Sequence, residues 1–271
     1  MASTRFPVLF ISHGGGPWPF VDGLRRMYAH TEQKLRRLPE RLTARPKAIL
    51  VISGHWEAPK FSLATNAHPP MEYDYSGFPA HTYQIRYPAA GEPELAHHAR
   101  NLLASAGIES RLDDTRGFDH GVFVPLGLMF PNADVPILMA SVQSNYDPAQ
   151  HLAMGRALAS LRDEGVLIVG SGLTYHNMRG FGRDESNAVA TEFTHYLDQA
   201  VANPDAKVRW DMLRHWQRAP SARLAHPRED HLMPLLIAAG AAVEDAGRVL
   251  FSETVMKVPM TSYVFGELSG G

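Results

Sequence analysis

Four short apolar runs limit the fold of this chain more than any other feature of its sequence. They comprise residues 7–12 (PVLFIS), 48–53 (AILVIS), 135–142 (VPILMASV) and 166–170 (VLIVG). Continuous apolar runs of this length are typical of strands that are buried on both faces of a sheet. Segments with helical periodicity lie between or after these runs, at about 22–39, 92–106, 149–163 and 185–202. The alternation predicts an α/β fold, with a central, largely parallel or mixed sheet flanked by helices.

The rest of the chain gives no sign of a second domain. Residues 61–93 are rich in proline, glycine and tyrosine, which indicates irregular structure laid over one end of the sheet. Repeats, low-complexity tracts and linker-like stretches are absent from the sequence. We therefore expect one domain over residues 1–271.

Charge balance and cysteine content exclude several classes of protein. The chain has 26 basic and 28 acidic residues, a net charge of −2, and no basic run longer than two residues, which disfavours nucleic-acid and membrane-surface partners. The apolar stretch at residues 6–11 is too short for a secretion signal, and no stretch approaches the roughly 18 apolar residues of a membrane span. Cysteine is absent, so disulfides, cysteine-type zinc sites and thiol nucleophiles are excluded. We expect a cytoplasmic protein that is a monomer or a homo-oligomer.

Histidine, in contrast, is abundant, with 14 residues in 271. His13, His55 and His176 each follow a predicted strand closely. Ligands of open α/β sheets bind at the carboxyl ends of the strands, so we expect these three imidazoles to meet at one sheet edge. Imidazole is both a metal ligand and a proton-transfer group near neutral pH. The glycines at 14–16 should let the backbone turn sharply and a planar substrate approach, and Trp56 could form a wall of the pocket.

The segment HPREDHLMPLL places His231 close to a helix start. Pro227 suits a first helical turn, so we expect His231 in that early turn, directed towards the sheet edge. Glu229 and Asp230 are rival metal ligands. In a regular helix they would be rotated by about 200° and 100° from His231, so only one of the three should coordinate a single ion.

Two further histidines each have two candidate roles. His120, in RGFDHG, is expected to contact substrate or to support the site, and Asp119 is expected to cap a helix that starts near Val122. His176 is either a fourth metal ligand or a proton-transfer group. Seven other histidines are interpreted as surface residues: His30, His68, His97, His98, His151, His195 and His215.

Several motifs together resemble one enzyme family. They are SHGGGPWPF, SGHWE, YDYSGFP, RGFDHGVFVPLGLMFPNADVPIL, GSGLTYHNMRGF, HPREDHLMPLL and SYVFG. In this order, over nearly the whole chain, they resemble the class III extradiol ring-cleavage dioxygenases of the LigB-like superfamily, and within them the DOPA 4,5-dioxygenase-like branch. The resemblance implies an α/β fold with a central mixed sheet.

The resemblance also implies a metal site. It assigns one non-haem metal to His13, His55 and His231, natively Fe(II), with Zn(II) as an alternative occupant. His176 matches an acid/base histidine near the metal, which some relatives place within coordination reach, and His120 matches a substrate-pocket histidine. Protocatechuate-type relatives have glutamate as the third ligand, so His231 leaves the site one unit more positive, which should favour a catecholate and makes zinc binding chemically reasonable.

The implied reaction inserts O2 into a catechol, DOPA-like or related, and gives a ring-opened muconic semialdehyde. His176 would remove and return a proton. Arg116, Arg179 and Arg183 are candidates to anchor a substrate carboxylate, whereas Tyr263 is expected in the core. The alternatives are a zinc-dependent hydrolase and a non-catalytic, Memo-like metal-binding protein. An HExxH motif and a carboxylate-rich two-metal pattern are both missing, and the presence of His120 and His176 beside a full ligand set favours catalysis.

Overall fold

The four apolar runs form the centre of a mixed sheet. In the computed structural model, which describes residues 5–269, the sheet has eight strands in the order β4-β3-β5-β2-β6-β1-β8-β7. The strands are Val8–Ser12 (β1), Ala48–Ala58 (β2), Phe61–Ala64 (β3), Ser110–Asp113 (β4), Ile137–Gln143 (β5), Val166–Gly172 (β6), Gly247–Val255 (β7) and Val258–Phe265 (β8). Strands β5, β2, β6 and β1 are neighbours and mutually parallel. These are the four predicted strands, and the α/β prediction with a mixed sheet is confirmed.

The outer strands differ from this parallel centre. Strand β8 runs antiparallel to β1 and to its hairpin partner β7, and β3 runs antiparallel to β5. Because β3 occupies the first residues of the segment 61–93, the prediction of irregular structure was wrong there. The rest of that segment has isolated bridges, such as Met71 with Phe118, and a short 3-10 helix.

Helices flank the sheet and connect its parallel strands. Within residues 5–269 the α-helices are Asp22–Met27 (α1), Ala29–Arg37 (α2), Pro93–Ser105 (α3), His120–Met129 (α4), Pro148–Ala157 (α5), Asp184–Ala202 (α6), Ala206–Arg214 (α7), Ala222–Ala225 (α8) and Met233–Ala242 (α9). Short 3-10 helices lie at Trp18–Phe20, Leu38–Arg41, Ala80–Gln84, Ala159–Glu164 and Trp216–Arg218. The predicted helix at 22–39 is broken at Tyr28, whose buried ring stacks on Trp18 with centroids 4.7 Å apart. None of the helices described is long and apolar enough to cross a bilayer.

Helix α9 is buried on all sides between the sheet and α5. Glycines let the backbones approach closely. A Cβ atom on Gly170 of β6 would lie 2.4 Å from the Pro234 carbonyl oxygen, and one on Gly155 of α5 would lie 2.0 Å from that of Ile237. The start of α9, and the turn before it, are therefore fixed against the carboxyl end of β6.

One of the histidines interpreted as a surface residue is fully buried. His151 lies in α5, where its Nδ1 is 2.7 Å from the Asp147 carbonyl oxygen and its Nε2 accepts a hydrogen bond from the Gln143 N–H at 3.1 Å. The interpretation was wrong because both ring nitrogens find partners in the backbone. Burial lowers the pKa of His151 to about 4.

Candidate metal centre

The carboxyl ends of the central strands bring the first two histidines to one edge. Ser12 pairs with Gly172, and Ser53 pairs with Ser171, so β1, β2 and β6 reach the edge in register. The His13 N–H donates to the Gly172 carbonyl oxygen at 3.2 Å, which continues the ladder. This edge therefore fixes the position of the His13 backbone.

His55 lies inside β2 rather than after it, because the strand continues to Ala58. The register between β2 and β5 shifts between Ile52 and Glu57, on either side of His55. Such an irregularity re-aims a side chain and is frequent beside functional sites. A Cβ on Gly121, at the start of α4, would lie 3.1 Å from the His55 Cδ2 atom, so Gly121 leaves room for the ring.

The glycine turn after β1 sets the direction of the His13 ring. Gly14 has a φ of +81°, and its own carbonyl oxygen lies 2.8 Å from His13 Nδ1. A Cβ on Gly14 would lie 2.6 Å from the Trp18 indole nitrogen, which donates to the His13 carbonyl oxygen. The sharp turn was predicted. With Nδ1 held in this way, the buried Nε2 of His13 has no hydrogen-bond partner among the described residues.

His231 lies in the turn before α9 rather than in the first turn of a helix, which begins only at Met233. Its carbonyl oxygen accepts from the Leu173 N–H at 3.0 Å. A Cβ on Gly172 would lie 2.1 Å from that oxygen, and one on Gly54 would lie 3.2 Å from the His231 Cα. Two glycines on neighbouring strands thus admit the His231 backbone to the sheet edge.

This turn is not helical, so Glu229 and Asp230 are not rotated from His231 by the angles that a regular helix would impose. Asp230 accepts a hydrogen bond from His231 Nδ1 at 2.7 Å, and its carboxylate is 3.3 Å from His176 Nδ1. Glu229 is instead paired with Arg223 at 2.6 Å. Asp230 thus holds two imidazoles in fixed orientations.

A second carboxylate, that of Asp74, orients the rings of His55 and His120 in the same way. Its oxygens lie 3.1 Å from His55 Nδ1 and 2.8 Å from His120 Nδ1, and it also accepts from the His120 N–H at 3.1 Å. Asp74 was not among the predicted functional residues. Its only signal was its place in the motif YDYSGFP.

Five imidazoles meet at this edge. Ring centroids of His13 and His55 are 5.0 Å apart, those of His55 and His120 are 4.1 Å apart, and those of His176 and His231 are 3.5 Å apart. Two groups of donor atoms are close enough to hold an ion: His13, His55 and His120 form one, and His176, Asp230 and His231 the other. The two groups meet where the Nε2 atoms of His55 and His231 lie 3.1 Å apart.

The donor atoms fit a metal ion. Two imidazole nitrogens at about 2.1 Å from one ion are separated by about 3.0–3.4 Å, which includes the distance between His55 and His231. Metal-binding histidines usually direct the second ring nitrogen to a carboxylate or a backbone carbonyl, and His13, His55 and His231 all do so. The unpartnered Nε2 of His13 is the kind of buried atom that an ion would satisfy.

Electrostatics keep these rings ready to coordinate at neutral pH. Burial, followed by the proximity of other histidines, holds the pKa values of His13 and His55 well below the usual range, and burial lowers that of His231 to about 4. Burial acts to raise the pKa of Asp230, but hydrogen bonds from His176 and His231 outweigh it and lower that pKa. Burial likewise acts to raise the pKa of Asp74, but the hydrogen bonds from His120 outweigh it and lower that pKa. Neutral imidazoles therefore stand beside ionised carboxylates.

Asp119 and Arg116 have structural roles that differ from those predicted. Asp119 is at the N-cap position of α4, but its carboxylate makes no capping bond and instead accepts from Ser53 at 2.8 Å and from Arg116 at 2.7 Å. Burial and the nearby Asp74 raise the pKa of Asp119 to about 6. Arg116 is also paired with Glu72 at 2.5 Å, so its charge is already neutralised and it is not available as a carboxylate anchor.

A cavity of about 460 Å³ opens onto the histidines. Its lining includes His13, His55, His120, His176 and His231, the glycines at 14–16 and mostly apolar side chains. Trp56 was expected as a wall but lies outside the lining, beneath the Arg116 guanidinium. Tyr263 is a core residue, as predicted, and donates to Asp198 at 2.7 Å.

The chain is similar to several known proteins over most of its length. The family described as the catalytic LigB subunit of aromatic ring-opening dioxygenase matches residues 7–266. The chain is 40% identical to a 4,5-DOPA dioxygenase extradiol of Beta vulgaris, over 88% of this chain and 87% of that protein. It is 37% identical to the dioxygenase tasH of Hapsidospora irregularis, over 98% and 88%. A crystal structure of an uncharacterized Escherichia coli K12 protein superposes with a TM-score of 0.78 at 31% identity, over 97% of this chain and all of that one.

Proposed function

Since this chain belongs to the LigB family of aromatic ring-opening dioxygenases, we propose that it opens catecholic rings by extradiol cleavage. In this reaction the carbon–carbon bond beside the diol breaks, and both atoms of O2 enter a muconic semialdehyde. The observation that carries the proposal is the set of imidazoles at the cavity floor, each with Nδ1 occupied by an oxygen acceptor. Such a set leaves several Nε2 atoms for a metal and for substrate.

We assign one Fe(II) to His13, His55 and His231. The unpartnered Nε2 of His13 and the 3.1 Å approach of the other two Nε2 atoms support this assignment. Three neutral imidazoles also suit Zn(II), so zinc is expected to compete for the site. When bound, Fe(II) would lower the pKa of catechol hydroxyls and activate O2.

The remaining histidines are assigned to substrate. His176 and His120 both line the cavity, and Asp230 and Asp74 respectively hold their Nδ1 atoms. The Nε2 atom of His176 is therefore free to take a proton from a catechol hydroxyl and return it later. His120, whose ring lies beside that of His55, would hydrogen-bond to the substrate.

An oxygen-uptake assay tests the proposed reaction. The purified protein is loaded anaerobically with Fe(II) and mixed with a panel of catechols that includes DOPA, protocatechuate and 4-methylcatechol. We expect O2 consumption together with a yellow, ring-opened product. If no catechol causes O2 consumption at full iron occupancy, the proposal is rejected. Membership of the LigB family favours a dioxygenase over a zinc-dependent hydrolase.

Single substitutions separate the metal ligands from the acid/base residue. His13→Ala and His55→Ala should each lower the bound metal well below one ion per chain. His176→Ala should keep most of the metal but lower kcat by about 10²–10⁴-fold, the usual contribution of a proton-transfer group. His195→Ala, at an exposed histidine of α6, is the control and should change neither quantity. Full metal in His13→Ala, or wild-type turnover in His176→Ala, would overturn the corresponding assignment.

A further inference from the structure

The chemistry of the cavity walls indicates which catechols fit. Above the histidines, the lining is formed by apolar side chains that include Leu24, Phe78, Phe181, Val255, Met256 and Met260. A catechol whose diol faces the histidines must direct its ring substituent along these walls. The volume of about 460 Å³ is within the usual range of ligand pockets, roughly 300–1,000 Å³, so there is room for a substituent.

The same lining contains no lysine or arginine among residues 5–269. Of the candidate anchors, Arg116 is committed to Glu72 and Asp119, while Arg179 and Arg183 are exposed and lie outside the lining. A carboxylate on the substituent would therefore lose hydration against methionine and phenylalanine without gaining a cationic partner.

The tip of the β7–β8 hairpin places one of these apolar groups near the mouth. Met256 and Lys257 form the two-residue connection with φ values of +47° and +70°, a conformation that costs energy for residues other than glycine. The tip is held by a hydrogen bond from the Gly182 N–H to the Met256 carbonyl oxygen at 2.9 Å. Lys257 is paired with Asp184, so its charge is directed to α6.

Methionine suits a wall that meets substituents of varied shape. The side chains of Met256 and Met178 line the cavity yet remain 48% and 70% exposed, as expected at an entrance. Methionine is flexible and polarizable, and it adapts to irregular apolar partners.

From these observations we propose that the preferred substrate is a catechol with a bulky, uncharged apolar substituent, and that Met256 is a specificity-determining residue. The proposal rests on the proposed function, since it assumes that a catechol diol occupies the histidine end. It distinguishes this chain from an enzyme that recognises a carboxylated or amino-acid catechol through an ion pair.

A matched substrate series tests the preference. The Fe(II)-loaded protein is assayed by oxygen uptake with 4-methylcatechol, 4-butylcatechol, 3-(3,4-dihydroxyphenyl)propionate and L-DOPA. Each methylene added from methyl to butyl should raise kcat/KM about fourfold if it becomes buried. Butylcatechol should also exceed the carboxylated catechols by more than about tenfold, because their carboxylate would lose hydration without gaining a cationic partner. Equal or greater kcat/KM for the carboxylated compounds would overturn the proposal.

A pair of substitutions on one hairpin tests the role of Met256. Met256→Lys should lower the butylcatechol-to-propionate ratio of kcat/KM at least tenfold, because it puts an unpaired cation at the mouth. Val249→Lys is the control: Val249 is 45% exposed, lies on the same hairpin and is outside the lining, so its ratio should match wild type. An unchanged ratio in Met256→Lys would remove Met256 from substrate selection.

A binding measurement tests the apolar substrate preference separately from the ring-opening reaction. Anaerobic calorimetry on the Zn(II)-loaded protein gives the Kd of butylcatechol and of the dihydroxyphenylpropionate without turnover. Tighter binding of butylcatechol, with no O2 uptake by the iron form, would support the apolar preference and reject the proposed reaction. Tighter binding of the carboxylated compound, with O2 uptake intact, would reject the apolar preference and support the proposed reaction.

Discussion

Replacing Asp74 by asparagine should weaken metal binding without removing a ligand. The two carboxylate oxygens of Asp74 face three donors, His55 Nδ1 at 3.1 Å, His120 Nδ1 at 2.8 Å and the His120 N–H at 3.1 Å. Asparagine has a single side-chain oxygen. That oxygen should stay on the two His120 donors, which leaves the amide NH2 facing His55 Nδ1.

The consequence for His55 is a change of tautomer. To accept from the amide, Nδ1 must lose its proton to Nε2, and a protonated Nε2 cannot coordinate. Loss of such a supporting carboxylate usually costs about 10- to 100-fold in metal affinity, which is about 1.4–2.7 kcal/mol. We therefore expect the Kd for Zn(II) to rise by this factor.

The assay is competition with a fluorescent zinc chelator at pH 7.5. Asp198→Asn is the matched control, because Asp198 is a partly buried acid outside the site and an amide oxygen can keep its bond from the Tyr263 hydroxyl. A Kd for Asp74→Asn within twofold of wild type, with the fold intact by circular dichroism, would refute the tautomer argument.

Two further predictions concern the backbone beneath the site and the buried histidines. Gly172→Ala should lower the free energy of unfolding by about 1–3 kcal/mol and release metal, because its Cβ would lie 2.1 Å from the His231 carbonyl oxygen. Gly23→Ala in α1 is the control and should not destabilise the protein, because the space around Gly23 is open. Urea titration together with metal analysis compares the two variants. The metal-free protein should lose stability as the pH falls from about 6.5 towards 4, because burial lowers the pKa of His151 to about 4 and the unfolded chain binds that proton first. The slope should reach about 1.4 kcal/mol per pH unit for each such histidine, and His151→Gln should reduce it; an unfolding free energy that is flat between pH 5 and 7 would contradict this.

The central strands could be predicted because their buried environment constrains the residue type at every position. A strand buried on both faces needs a continuous apolar run, and β1, β2, β5 and β6 all show one. In the edge strand β7 only Gly247, Phe251 and Val255 are buried, so it has no such run. The strands β3 and β4 have four residues each, too few for a period to be visible.

The site was predictable to the extent that it follows from the ends of these strands. His13 and His55 reach the sheet edge through β1 and β2, as the sequence indicated. His231 depends on long-range contacts with Gly54 and Gly172, which no local pattern records. Asp74 lies in an irregular segment, and its role is visible only when His55 and His120 stand beside it.

The most direct test of the metal assignment is a crystal structure of the protein loaded anaerobically with Fe(II), with the ion located by anomalous scattering. We predict one ion at about 2.1 Å from the Nε2 atoms of His13, His55 and His231, with the Nδ1–H groups of His55 and His231 still bonded to Asp74 and Asp230. An ion held by His120 in place of His231, or one held by His176 and Asp230 away from His13, would contradict the account.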